Sequence, residues 1–144
     1  MQISTRGRYA VAAMAELACR EAGGVCRRPV TLAEIAARNA LSQCYLEQLF
    51  GRLRRAELVA ATRGPGGGYR LTRAASAITI AEIMAAAEEN LQPCPDAASG
   101  AGAVDALWLE LGRHVHLFLH RLTLADVIAG AVQGRARASV EAAE

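Results

Sequence analysis

Five residues near the middle of the chain, Gly64-Pro65-Gly66-Gly67-Gly68, separate two short β-prone runs at 58–63 and 69–72. A glycine-rich tip between two such runs predicts an antiparallel hairpin. What precedes the hairpin narrows the fold further. Thr31-Leu32-Ala33-Glu34 has the pattern of a capping box, with the Thr31 hydroxyl accepting from the Glu34 backbone N–H and the Glu34 carboxylate accepting from that of Thr31. It predicts a short helix to about Asn39. Ser42 caps a third helix, in which Tyr45, Leu46, Leu49, Phe50 and Leu53 form one apolar stripe and Gln43, Glu47, Gln48, Arg52, Arg54 and Arg55 fall on the exposed side. Two short helices joined by a tight turn and followed at once by a hairpin read as a helix-turn-helix with a wing.

The flanking segments are helical. From Ser4 to about Ala22 an apolar stripe of Tyr9, Val11, Met14, Leu17 and Ala18 recurs at helical spacing and stops at Gly23-Gly24. Thr79-Ile80-Ala81-Glu82 is a second capping box and opens a helix to about Glu89. Residues 90–103, rich in Pro, Gly and small side chains, predict a loop or linker. Beyond it Val104, Leu107, Leu111, Val115, Phe118 and Leu122, with Trp108 and Leu119, define a long amphipathic helix. An N-terminal half with its own core would leave that stripe uncovered, so pairing with a second copy is expected. Thr123 caps a last helix to about Ala131, and the tail from Gln133 is expected to fray. The fold class is therefore mostly α with a small β-hairpin wing: a winged helix-turn-helix at 1–89, a linker or sensor loop at 90–103, a dimerisation helix and short packing helix at 104–132, and a tail at 133–144.

Charge assigns work to these parts. The formal net charge of +2 averages two unlike halves, since residues 1–80 hold 12 Arg against 5 Glu and residues 81–144 hold 4 Arg against 9 acidic residues. The densest run, residues 52–73, has six Arg and one Glu and falls on the second helix of the motif and the hairpin. All 16 basic residues are Arg, which suits bidentate recognition of phosphate and guanine. Double-stranded DNA is the partner this implies. Within the motif, Gln43 and Gln48 can pair with base edges, Arg52 and Arg63 with phosphate or guanine, and Ser42 offers a hydroxyl and helix N-terminal amides to a phosphate. Tyr45 is open: its ring can pack inward while its hydroxyl reaches a phosphate. Close backbone approach to DNA accounts for the glycines of the tip.

Several classes are excluded by the same reading. No stretch free of Asp, Glu and Arg exceeds eight residues, far short of a membrane helix, and the N-terminus lacks an apolar signal core, so a cytoplasmic protein is expected. The four cysteines, Cys19, Cys26, Cys44 and Cys94, form no Cys-x-x-Cys pair, which argues against a disulfide scaffold or zinc ribbon; Cys19 and Cys26 are expected to be structural and Cys44 a packing or contact residue. Aromatic residues, at 4%, are too few for base-stacking platforms on single strands. The glycine tip lacks the Gly-Lys-Ser/Thr ending of a phosphate loop, which sets aside a nucleotide-binding enzyme, and no nucleophile and base or complete metal set stands out.

Ser4-Thr5-Arg6-Gly7-Arg8-Tyr9-Ala10, the helix with Ser42, Tyr45-Leu46-Glu47-Gln48-Leu49-Phe50 and Leu53-Arg54-Arg55, and the run Arg63-Gly64-Pro65-Gly66-Gly67-Gly68-Tyr69 closely resemble the IscR-type regulators. These belong to the Rrf2 family of dimeric winged helix-turn-helix transcription factors, which includes iron-sulphur, nitric-oxide and cysteine-status sensors. The resemblance spans roughly residues 1–130. It implies that the helix beginning at Ser42 reads the major groove, that Arg63 at the base of the wing, with Gly64, Pro65 and Gly66, contacts DNA, that Glu47 repels unsuitable sequence, and that the long helix dimerises. It also implies a 2Fe-2S cluster held by three cysteines and one histidine from the loop before that helix. Here only Cys94 matches a family cysteine, the segment is shorter, and Asp105 stands at the histidine position, so the usual ligand set cannot be assembled. Three readings follow: a cluster on Cys94 with non-standard ligands, Asp105 or one of His114, His116 and His120, from the same or the other subunit; a thiol sensor at Cys94; or a cluster-free repressor. His116 and His120 are four apart and share a helix face, which suits metal binding. The expectation is a homodimeric repressor, not an enzyme, that binds a pseudo-palindromic operator and reports iron, iron-sulphur or redox status.

Overall fold

The computed structural model describes residues 4–23, 28–88 and 102–132. They form helices α1 (Thr5–Ala22), α2 (Leu32–Asn39) and α3 (Gln43–Arg55), strands β1 (Val59–Thr62) and β2 (Gly68–Leu71), a single 3-10 turn at Ala75–Ala77, and helices α4 (Ile80–Ala87), α5 (Ala103–Arg121) and α6 (Leu124–Ile128). The caps predicted at Thr31, Ser42, Thr79 and Thr123, and a further one at Ser4, set the helix starts. Ser4, Thr31, Ser42, Thr79 and Thr123 each accept from the backbone N–H three residues on, and at Thr31, Thr79 and Thr123 an acidic side chain returns the bond. Such bonds satisfy amide groups that the helix itself leaves without a partner.

β1 and β2 pair antiparallel, with Val59 opposite Leu71 and Thr62 opposite Gly68. Val30, from the turn before α2, adds a short bridge on the other edge of β2: Val30 N–H donates to the Tyr69 carbonyl at 3.0 Å and Tyr69 N–H returns to the Val30 carbonyl at 2.8 Å. This bridge explains one glycine of the tip. A β-carbon on Gly68 would stand 2.5 Å from the Val30 carbonyl oxygen, and one on Gly67 would collide with that of Thr62. Gly64 and Gly66 have φ of +97° and +79°, in the region that favours glycine. The sequence reading assigned these glycines to close approach of DNA; the hairpin's own turn and its contact with Val30 already require them.

One core joins all the helices except most of α5. Met14 and Leu17 from α1, Ile35 from α2, Leu46, Leu49, Phe50 and Leu53 from α3, Leu58 and Val59 at the first strand, Ile78 and Ile83 around α4, and Leu122 and Leu124 at the α5–α6 junction are all buried together. Backbone bonds fix that junction, since Ile80 N–H donates to the Leu122 carbonyl at 2.9 Å and Leu124 N–H to that of Ile78 at 2.8 Å. Phe118 and Leu119 pack against the core from the C-terminal half of α5, and α5 has no fully buried residue. Its N-terminal half exposes Val104, Leu107, Trp108, Leu109 and Leu111, each at least 45% exposed. Two helices end earlier than expected, α4 at Ala87 and α6 at Ile128. Cys19, expected to be structural, is exposed on α1, and Cys44 is exposed on α3, which leaves contact and not packing as its part of the expectation; Cys26, Cys94 and the tail lie outside the described residues.

Candidate nucleic-acid interface

Burial of Leu46, Leu49, Phe50 and Leu53 turns the opposite side of α3 to solvent. Ser42, Gln43, Cys44, Glu47, Gln48, Arg54 and Arg55 are exposed there. The Ser42 hydroxyl accepts from Tyr45 N–H at 3.2 Å, which holds it at the helix N-terminus beside the remaining free amides. Tyr45 is half-buried and meets the ring of Tyr9 edge-on, with centroids 5.9 Å apart, so its ring belongs to the packing between α1 and α3. Arg52 differs from its neighbours. It is half-buried, and its Nη1 donates to the Ala87 carbonyl at 3.2 Å, tying α3 to the C-terminus of α4. That carbonyl sits at a helix C-terminus, where a cation is favoured.

The wing is held against α3 from both sides. Tyr69 packs on Phe50 with ring centroids 4.8 Å apart, and Glu21 at the end of α1 accepts from Leu71 N–H at 2.8 Å. Gly67 N–H donates to the Gly64 carbonyl at 2.9 Å and closes the turn. Arg63, Gly64, Pro65, Gly66 and Arg70 are left exposed. Neither Glu21 nor Val30 was identified from the sequence: each acts on a strand far along the chain, and no local pattern marks it.

Other arginines are committed to the fold. Arg73 donates to the Glu82 carboxylate at 3.1 Å and to the Ala77 carbonyl at 3.2 Å. Arg28 and Arg20 converge on Glu34, at 2.6 Å and 3.4 Å, and Arg20 also pairs with Glu16 at 2.8 Å. Bonds from Arg28 and from the Thr31 backbone hold the Glu34 carboxyl down to about 2. Glu82 is lowered likewise, chiefly by the Thr79 backbone N–H and also by Arg73. Of the six arginines between 52 and 73, two are thus bonded to the fold, and Arg54, Arg55, Arg63 and Arg70 form an exposed cationic set without such bonds on α3 and the wing.

Among the described residues the candidate metal ligands do not come together. Asp105 is exposed in the first turn of α5, while the rings of His116 and His120, 4.3 Å apart, are exposed farther along the same helix. Eleven positions at 1.5 Å per residue separate Asp105 from His116 by roughly 16 Å, too far to share a cluster. His114 has its Nδ1 2.8 Å from the Glu110 carbonyl. Among the described residues no group of three His, Cys, Asp or Glu is close enough to hold a metal ion, and Cys94 lies outside them. No described helix is long and apolar enough to cross a membrane.

The family model described as Rrf2, iron-dependent transcriptional regulator, matches residues 3–130. The HTH-type transcriptional regulator IscR of Cereibacter sphaeroides is 44% identical over 137 residues, covering 89% of this chain and 87% of that protein. Among solved structures, that of CymR, the global cysteine regulator of B. subtilis, superposes with a TM-score of 0.79 at 37% identity, covering 90% of this chain and 97% of the other. T. potens IscR gives a TM-score of 0.74 at 35% identity, with 91% and 88% covered.

Proposed function

From the premise that the chain belongs to the Rrf2 family and is a DNA-binding transcriptional regulator, not an enzyme, we propose that it is a homodimeric repressor whose α3 enters the major groove of a pseudo-palindromic operator. The observation that carries this reading is a clustering of exposed cations: Arg54, Arg55, Arg63 and Arg70 stand exposed together on α3 and the wing, whereas Arg20, Arg28 and Arg73 pair with Glu16, Glu34 and Glu82. In the proposed complex Gln43 and Gln48 read base edges, and Ser42 with the α3 N-terminus takes a phosphate. Arg63, with Gly64, Pro65 and Gly66, follows the backbone at the wing, and Glu47 disfavours unsuitable bases. The Tyr45 hydroxyl reaches a phosphate while its ring stays on Tyr9. Arg52, held by Ala87, orients α3 and lends positive charge to that face. The uncovered apolar side of α5 joins the second subunit.

If each subunit neutralises about three to five phosphates, the logarithm of affinity falls with the logarithm of salt concentration at a slope of about −5 to −9. Fluorescence anisotropy on a labelled operator duplex across a salt series measures it. A slope near zero would remove DNA from the proposal.

For the signal, we propose iron or redox status, read through Cys94. The similarity to IscR proteins supports a cluster, and the similarity to the cysteine regulator CymR supports thiol chemistry. The described residues do not fit the family's cluster: its one histidine ligand is replaced by Asp105, and the paired imidazoles lie too far along α5 to join it. Anaerobic purification with visible absorption and iron and sulphide analysis separates the two. Brown, iron-containing protein selects a cluster on non-standard ligands. Colourless, iron-free protein whose operator affinity changes on oxidation of Cys94, and not in Cys94→Ser, selects the thiol.

A further inference from the structure

Ten glycines lie among the described residues, and eight have a reason within the fold: a positive φ, a helix terminus, or a neighbour that a β-carbon would press against. Gly51 and Gly112 have none. Each sits inside a helix, and a β-carbon built on either meets nothing within 4 Å. Glycine is the least favourable residue for a helix interior after proline, so both positions weaken their helices with no return in packing. Gly112 lies on α5, the helix already assigned to subunit pairing.

Gly51 lies near the middle of the outer face of α3. At 100° per residue it points within about 30° of the direction opposite the buried stripe. One turn before it stand Glu47 and Gln48, and one turn after it Arg54 and Arg55, all exposed. Four long polar side chains therefore surround a patch of bare helix backbone. A rim of this kind allows a helix to settle deeper in a groove than its own side chains would otherwise permit.

We propose that Gly51 is a DNA-contact position of α3, where the edge of the duplex approaches the helix backbone and thereby brings Gln43 and Gln48 within reach of base edges. This rests on the reading that α3 enters the major groove. Bulk at position 51 pushes α3 outward, which removes short-range base contacts while leaving longer-range attraction to phosphates largely intact. Gly51 is thus a determinant of sequence selectivity.

The test uses the full-length chain, a duplex selected by the wild-type protein from a random-sequence pool, and a scrambled duplex of equal length. Gly51→Ala and Gly51→Leu should fold and melt higher than the wild type, Gly51→Ala by roughly 2–6 °C, because both residues favour helix. Affinity for the selected duplex should fall at least about tenfold for Gly51→Leu and less for Gly51→Ala, with affinity for the scrambled duplex changing less than about threefold. Selected-duplex affinity unchanged in Gly51→Leu, together with a large loss in Arg63→Ala, overturns the role of Gly51 and leaves the DNA reading standing. If the wild-type protein enriches no duplex at all, the DNA reading itself fails and this inference with it.

Discussion

Arg63 and Arg73 flank the same hairpin, yet only Arg73 is bonded to the fold, through Glu82 and the Ala77 carbonyl. Exposed Arg63 has its guanidinium available to a duplex. Arg63→Ala should therefore weaken operator binding about ten- to a hundredfold, as loss of one good contact of 1–3 kcal/mol does, with thermal stability unchanged. Arg73→Ala should do the reverse, leaving operator affinity within about threefold and costing less than about 1 kcal/mol, since its pair with Glu82 is partly solvated. Titration of the selected duplex and urea unfolding of both variants check this crossed pattern. Glu34 gives a pH signature. Its folded carboxyl titrates near 2, below its ordinary value of 4.5, so its contribution is fully present above about pH 4.5 and is lost as pH falls toward 2. Urea midpoints of Glu34→Gln should depend less on pH across that window than those of the wild type; equal acid slopes would show that Arg28 and Thr31 do not stabilise the ionised form. At this scale periodicity placed Gln43, Glu47, Gln48, Arg54 and Arg55 on the free side of α3, but it put Arg52 there as well, whereas Arg52 is half-buried and bonded. The carbonyl that holds it belongs to Ala87, a partner on another helix.

The elements were legible wherever the bonds that start them are local. A cap joins residues three apart, so Thr31, Thr79 and Thr123 could be read directly. The bridge from Val30 to Tyr69 could not, nor could the reason for Gly67 and Gly68, because both depend on two distant segments lying side by side. α5 shows how far an apolar stripe alone can be taken. The same stripe serves two surfaces: Phe118 and Leu119 pack on the core, while Val104, Leu107, Trp108 and Leu111 remain largely exposed. Trp108, 60% exposed, lies in the uncovered part. Trp108→Glu should leave helix content and the melting transition of each subunit's core little altered and shift the protein from dimer to monomer in sedimentation. A dimer of unchanged affinity would place the subunit contact elsewhere.

Over the whole molecule, charge and apolar surface are segregated along one fold. The exposed arginines of α3 and the wing lie on elements distinct from the exposed apolar half of α5. Dimerisation through α5 would double the cationic contacts on one duplex, so the salt slope measures assembly as well as charge. For Trp108→Glu it should be roughly half the wild-type value, because each binding event then displaces counterions from one half-site. The sequence by itself determined the helix starts, the hairpin, the cationic segment and the family, since these rest on bonds between near neighbours or on motifs contiguous in the chain. Only the tertiary structure decided which arginines are left for DNA and why the wing needs its glycines. Those outcomes depend on distances between segments remote in sequence, which packing of the common core sets.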